Sequence, residues 1–125
     1  PNTKHPVISL INEQKNIKTL GATMRLGSYQ CKVFPQTKAF LAYLKNEVVE
    51  RHRHRYELNN SYLEAFKEKG LKLSGVYEKD QLAEIIEIEN HPWMVGVQFH
   101  PEFQSKPTRP HPLFKTFIKA AINRG

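Results

Sequence analysis

The alternation of apolar and polar residues divides this chain into short elements separated by frequent turns. A first apolar run, Pro6-Val7-Ile8-Ser9-Leu10-Ile11, predicts a strand. Gly21 and Gly27 bracket a segment that predicts an adaptable loop feeding a strand over 28–34, which Pro35 stops. A short helix is predicted over 37–44, with Thr37 near its N-cap. From Glu47 to Leu58 there is no helical stripe, and arginine alternates with histidine before Tyr56. This stretch reads as a strand with Arg51, Arg53 and Arg55 on one face and His52, His54 and Tyr56 on the other. Asn59, Asn60 and Ser61 offer capping groups for a helix over 62–69, which Gly70 terminates. Three β-rich runs follow, at 71–77, 82–88 and 93–99, and their short turns predict antiparallel neighbours. Proline-rich coil over 101–112 leads to an amphipathic helix over 113–122, with Phe114, Phe117, Ile118 and Ala121 on one side. Strands mixed with helices, including a meander, indicate an α/β domain.

Composition narrows the classes. The 125 residues suit one domain, and 39% hydrophobic with 25% charged residues is the balance of a folded globular protein. No apolar run approaches the roughly 18 residues that span a bilayer, and no signal-peptide pattern opens the chain. No membrane association is expected. A single cysteine excludes an internal disulfide and fits a reducing, cytoplasmic setting. The first residue is Pro1 rather than Met, so the chain is expected to be a piece of something longer. The formal charge of +7 favours anionic partners, although it is spread out except for a dense cluster at 51–55.

The chemistry concentrates in Val97-Gln98-Phe99-His100-Pro101-Glu102-Phe103. On an extended chain, residues two apart point the same way, roughly 6.6 Å apart at Cα. Glu102 can then hold one ring nitrogen of His100, leaving the other to take a proton: the base and orienter of a nucleophilic triad. Pro101 stiffens the pair and ends the strand there. The arginines at 51, 53 and 55 form an anion clamp suited to a carboxylate or phosphate. The same string admits an RNA-binding module over 51–56, with arginine on phosphate and Tyr56 or histidine stacking on bases. No metal site is expected, because His52 and His54 lack further ligands at suitable spacing. Cys31, flanked by Tyr29, Gln30, Lys32 and Val33, lacks the small neighbours of a nucleophile elbow and reads as structural. A base and its orienter are present, and a convincing nucleophile is not.

Together these segments resemble the class I glutamine amidotransferase domain, in the branch serving pyrimidine nucleotide synthesis. The likeness rests on 21–27, on Arg51-His52-Arg53-His54-Arg55-Tyr56-Glu57 with Asn59, on Gln98-Phe99-His100-Pro101-Glu102-Phe103, and on Pro110-His111-Pro112-Leu113-Phe114. It implies a flavodoxin-like α/β fold with a mixed sheet, of which residues 1–125 are the C-terminal half; the nucleophile half and a synthase domain would lie outside. It implies hydrolysis of L-glutamine by a Cys-His-Glu triad, with ammonia passed to the synthase domain, where UTP is phosphorylated by ATP with Mg2+ and aminated to CTP. His100 and Glu102 match the base and orienter. Arg55 matches an arginine that contacts glutamine, and Gly21, Thr23, Arg25 and Gly27 match a regulatory loop linked to the activator GTP. The parent enzyme would be a cytoplasmic homo-oligomer, a tetramer, and no nucleic-acid partner is expected. The fragment itself would hold no cofactor and would be inactive alone, exposing apolar surface meant for its missing half. Another class I amidotransferase, such as a GMP synthase, is the nearest alternative; the arginine–histidine string and the Pro-His-Pro-Leu-Phe tail speak against it.

Overall fold

A computed structural model describes residues 3–10 and 24–124. Seven strands are described: β1 (Ile8–Leu10), β2 (Arg25–Val33), β3 (Glu47–His54), β4 (Tyr56–Leu58), β5 (Leu71–Tyr77), β6 (Leu82–Ile88) and β7 (Val95–Val97). The helices are α1 (Lys38–Tyr43), α2 (Leu63–Glu68) and α3 (Pro112–Ile122), with 3-10 turns at Asn60–Tyr62 and Pro101–Gln104. Five strands form one sheet in the order β3-β2-β5-β6-β7, and β1 pairs separately with β4. Every pairing among the described residues is antiparallel, as the short turns between the last three strands predict.

β2 and β3 pair over eight residues, from Arg25 opposite His54 to Lys32 opposite Glu47. The strand therefore begins inside the predicted loop. Arg25 and Gly27 are ladder residues, and Gly27 takes a φ of 106° that suits glycine. Gly21 and Thr23 lie outside the described residues, as does Ile11 of the first apolar run. β5 is pressed against both of its neighbours at Gly75. A Cβ there would lie 2.7 Å from Cγ1 of Ile85 and 2.9 Å from Sγ of Cys31, so only glycine lets the sheet close at that point.

Helix α1 is fixed from both sides. The Thr37 hydroxyl accepts from the Phe40 N–H at 3.0 Å, and the buried Glu87 carboxylate of β6 accepts from the N–H groups of Lys38 and Ala39 at 3.0 and 3.3 Å. The core gathers Cys31, Val33, Ala39, Ile85, Phe99 and Leu113, with Phe40, Tyr43, Trp93 and Val95 packed around it. Helix α3 starts at Pro112, one residue earlier than predicted, because His111 caps it by accepting from the Leu113 N–H at 3.2 Å. Its predicted apolar side is not a core face: Leu113 is buried, but Phe117 is 50% and Ile118 54% exposed. No described helix is long and apolar enough to cross a membrane.

Candidate active site

After β7 the chain makes one more sheet bond, Gln98 N–H to the Glu84 carbonyl, and buries Phe99. The His100 N–H then donates to the Arg51 carbonyl of β3 at 2.9 Å. Pro101 opens a 3-10 turn, for which its ring pre-sets the backbone. Glu102 thus meets His100 across a turn rather than along an extended strand. Nδ1 of His100 and Oε1 of Glu102 lie 2.7 Å apart. A carboxylate only accepts, so it fixes the proton on Nδ1 and leaves Nε2 as the acceptor. The bond from His100 holds the Glu102 carboxyl below the ordinary range, so it remains ionised at neutral pH. The imidazole stacks on Phe103 with centroids 5.0 Å apart, and 39% of its side chain is open to solvent. Beside it, Met24, Leu26, Arg51, Arg53 and Phe103 line an open groove, with the Arg51 guanidinium 5.6 Å from the Phe103 ring centre.

The arginine-rich strand divides its faces as predicted as far as residue 54. Arg51 and Arg53 are exposed, His52 is buried and His54 is half-buried. At Arg55 the strand breaks, the phase shifts, and Tyr56 is exposed while Glu57 is buried. Tyr56 therefore does not share the histidine face. Arg55 is half-buried, its Nε has no partner among the described residues, and it makes no hydrogen bond to His100 or Glu102. The buried face holds a charge cluster. Nη1 of Arg25 bonds side-chain carboxyl oxygens of both Glu57, at 3.0 Å, and Glu84. His52 packs its ring 5.8 Å from Phe99, and the guanidinium of Arg25 lies 4.4 Å from the Tyr29 ring centre. Arg25, expected within a loop, is thus a strand residue whose side chain is a buried cation. Cys31 is fully buried, and burial with the nearby Glu84 and Glu50 charges pushes its thiol up to about 12, the opposite of an activated nucleophile.

The model of the glutamine amidotransferase class-I family matches residues 5–120. The chain belongs to that family. CTP synthase from Protochlamydia amoebophila is 55% identical over 122 residues, which is 98% of this chain and 22% of the relative. CTP synthase from Caldanaerobacter subterraneus subsp. tengcongensis is 56% identical over 123 residues, again 98% of this chain and 23% of the relative. The chain thus spans under a quarter of these curated relatives. Among solved structures, the glutaminase domain of Trypanosoma brucei CTPS with bound acivicin superposes with a TM-score of 0.86 at 33% identity, covering 96% of this chain and 47% of that one. The fold is that of a class I amidotransferase. A putative GMP synthase component from Thermoplasma acidophilum shares the fold alone, at a TM-score of 0.61 and 18% identity, covering 81% of this chain and 46% of that one.

Within this amidotransferase segment, a second polar network went unread in the sequence. Glu50 is buried and accepts from Tyr43 Oη at 2.7 Å and from Gln104 Nε2 at 2.8 Å, while Nε2 of His111 lies 2.7 Å away. Since Nδ1 of His111 accepts from Leu113, its Nε2 carries the proton and donates to Glu50. Gln104 also donates to the Val49 carbonyl at 2.8 Å. The turn carrying Glu102 is therefore fastened to β3 at both ends, through His100 and through Gln104. The signal that could have found it was Glu50 inside the strand pattern of 47–58, one residue before the arginine string.

Proposed function

We propose that the chain is the C-terminal half of the glutaminase domain of a CTP synthase, and that it supplies the base and orienter for hydrolysis of L-glutamine. The observation that carries this is the 2.7 Å pair of His100 and Glu102, held on a turn open to solvent, in a chain 55% identical to a CTP synthase. Glu102 keeps the tautomer in which Nε2 of His100 is bare. That nitrogen takes the proton of a thiol supplied by the other half of the domain as the sulfur attacks the glutamine carboxamide carbon. It then returns the proton to the departing nitrogen, which leaves as ammonia, and Glu102 stabilises the imidazolium formed in between. Arg55 receives the substrate's α-carboxylate. The exposed apolar side chains of α3 and Leu26 support a segment built to be covered by more of the same domain.

In the parent enzyme, ammonia would pass to a synthase domain that aminates UTP using ATP and Mg2+, with GTP as activator. Water deprotonated by the same Nε2 of His100 then cleaves the thioester, releasing glutamate and restoring the thiol, so the hydrolysis calls on a nucleophile, an acid–base pair and water. Gly21, Thr23, Arg25 and Gly27 keep the regulatory-loop assignment. The parent would be a cytoplasmic homotetramer. The RNA-binding alternative is less well supported, because His52 is buried against Phe99 and Glu84 and the His54 ring is tied to His52 and to the Tyr56 carbonyl.

The purified chain alone is expected to release no ammonia from glutamine, and co-expression with the preceding half of the domain is expected to restore release. Steady ammonia production by the chain alone would overturn the division of the triad. In the complete enzyme, Arg55→Ala is expected to raise KM for glutamine about 10–100-fold, the equivalent of roughly 1.5–3 kcal/mol for a hydrogen bond to a charged group. An unchanged KM would remove Arg55 from the substrate site.

A further inference from the structure

The buried cluster behind β3 allows its protons to be placed one by one. The Tyr56 carbonyl only accepts, so Nδ1 of His54, 3.0 Å away, carries a proton. Burial keeps His54 neutral, so its Nε2 is bare and accepts from Nδ1 of His52 at 2.8 Å. That leaves Nε2 of His52 bare in turn. It faces Oε2 of Glu84 at 3.2 Å, with both side chains 0% exposed. Two bare acceptors held together in a dry site repel each other, and neither has another hydrogen-bond partner among the described residues. A proton belongs between them.

That proton has two homes. On His52 it makes an imidazolium facing the Arg25 guanidinium of β2 and the ring of His54. On Glu84 it makes a neutral acid that donates to His52. The groups around the pair are Arg25 and the buried thiol of Cys31 from β2, His52 and His54 from β3, Glu57 from β4, and the rings of Tyr29 and Tyr77 over Arg25; His100 acts more weakly. Burial, with Arg25 and His54 nearby, pushes His52 down to about 3, while burial pushes Glu84 up to about 7 against the pull of Arg25. With Arg25 positive and Glu57 negative, a neutral Glu84 also leaves the cluster without net charge.

We propose that below neutral pH Glu84 is a neutral carboxylic acid that donates to Nε2 of His52 and, through His52 and His54, sets the backbone at Tyr56 beside Arg55. Glu84 is thus a positioning residue for Arg55. The role of Arg55 rests on the glutaminase reading; the proton on Glu84 does not.

The test compares Glu84→Gln and Glu84→Ala in the full-length enzyme. In Glu84→Gln the amide NH2 replaces the acid O–H as donor, and the amide oxygen still accepts from Arg25. Infrared difference spectra at pH 6 between the parent and Glu84→Gln are expected to show loss of a protonated buried carboxyl band. Loss of a carboxylate band instead overturns the proposal. Because the folded carboxyl titrates near 7 rather than 4.5, its stabilisation is full below the unfolded value and is lost as pH rises to the folded one. The melting temperature of the parent minus that of Glu84→Gln is therefore expected to fall from about pH 4.5 to about pH 7 and then level off. A difference that rises with pH is the mark of an ionised Glu84 and refutes the assignment. KM for glutamine should stay within about twofold in Glu84→Gln and rise about tenfold in Glu84→Ala, with ammonia-dependent synthesis unchanged. Equal losses in both variants would refute the positioning role. If Glu84→Ala does not accumulate, the infrared and melting results for Glu84→Gln decide alone. A protonated band in a parent protein with no glutaminase activity would uphold the state of Glu84 and reject the glutaminase reading.

Discussion

Replacing His100 by alanine in the complete enzyme is expected to cut glutamine-dependent turnover by at least about 10²–10⁴-fold, the share a positioned general base contributes. Synthesis from free ammonia should continue at nearly the parent rate. The separation follows from where His100 sits. Its ring lies on a turn at the surface, stacked among the described residues on Phe103 alone, and its backbone N–H, which alanine keeps, makes the bond to Arg51. Little of the fold depends on the imidazole, so the loss should fall on one reaction. Steady-state assays with glutamine and with ammonium as alternative nitrogen sources give the answer. Equal loss of both activities would mean that the side chain holds the structure together and that the triad assignment is wrong. Glu102→Gln should lie between the parent and His100→Ala. An amide oxygen still accepts from Nδ1, but it cannot offset the charge on an imidazolium.

The parts of the architecture that were readable from residues alone are those whose boundaries are set by local chemistry. Glu78-Lys79-Asp80 and Gly70 delimit β5 and β6 at the predicted residues, 71–77 and 82–88. Thr37 caps where a side-chain oxygen next to a periodic run says it should, whereas Asn59 caps the 3-10 turn Asn60–Tyr62 and the helix after it starts at Leu63 with no side-chain cap. The pairing of His100 with Glu102 was legible from their spacing around Pro101, although they meet across a 3-10 turn and not along an extended strand. What escaped notice are residues whose roles depend on distant strands. Arg25 reads as loop because glycine lies on either side of it, yet its partners Glu57 and Glu84 are 32 and 59 residues away. The phase shift at Arg55 comes from β4 turning to pair with β1, which no local pattern encodes. Glu84 and Glu87 did leave a trace. They lie three apart in an apolar strand, so they cannot share a face, and their joint presence signals a strand buried on both sides with polar partners on each.

Arg25→Met is expected to have the largest effect on stability. A methionine fills much of the arginine's volume against Tyr29 and Tyr77 and removes the charge, leaving the ionised Glu57 buried with no cation against it. Breaking a buried pair on one side costs about 3–5 kcal/mol, set against a total stability of about 5–15 kcal/mol for a typical domain. The variant should lose soluble yield, and its urea midpoint, followed through Trp93, the one tryptophan, should drop sharply. Burial already pushes Glu57 upward, and Arg25 is what restrains that shift. Without the guanidinium, the carboxyl should rise further, and the variant should recover part of its stability in mild acid, where Glu57 can take a proton. The parent, in which Arg25 restrains the rise of Glu57, should gain less over the same pH range. Adding Glu57→Gln to Arg25→Met removes the stranded charge and should return most of the loss. If the double variant is as unstable as the single one, the guanidinium acts through packing on the two tyrosine rings rather than through charge. If Arg25→Met folds as well as the parent, Arg25 is not the buried anchor of this sheet.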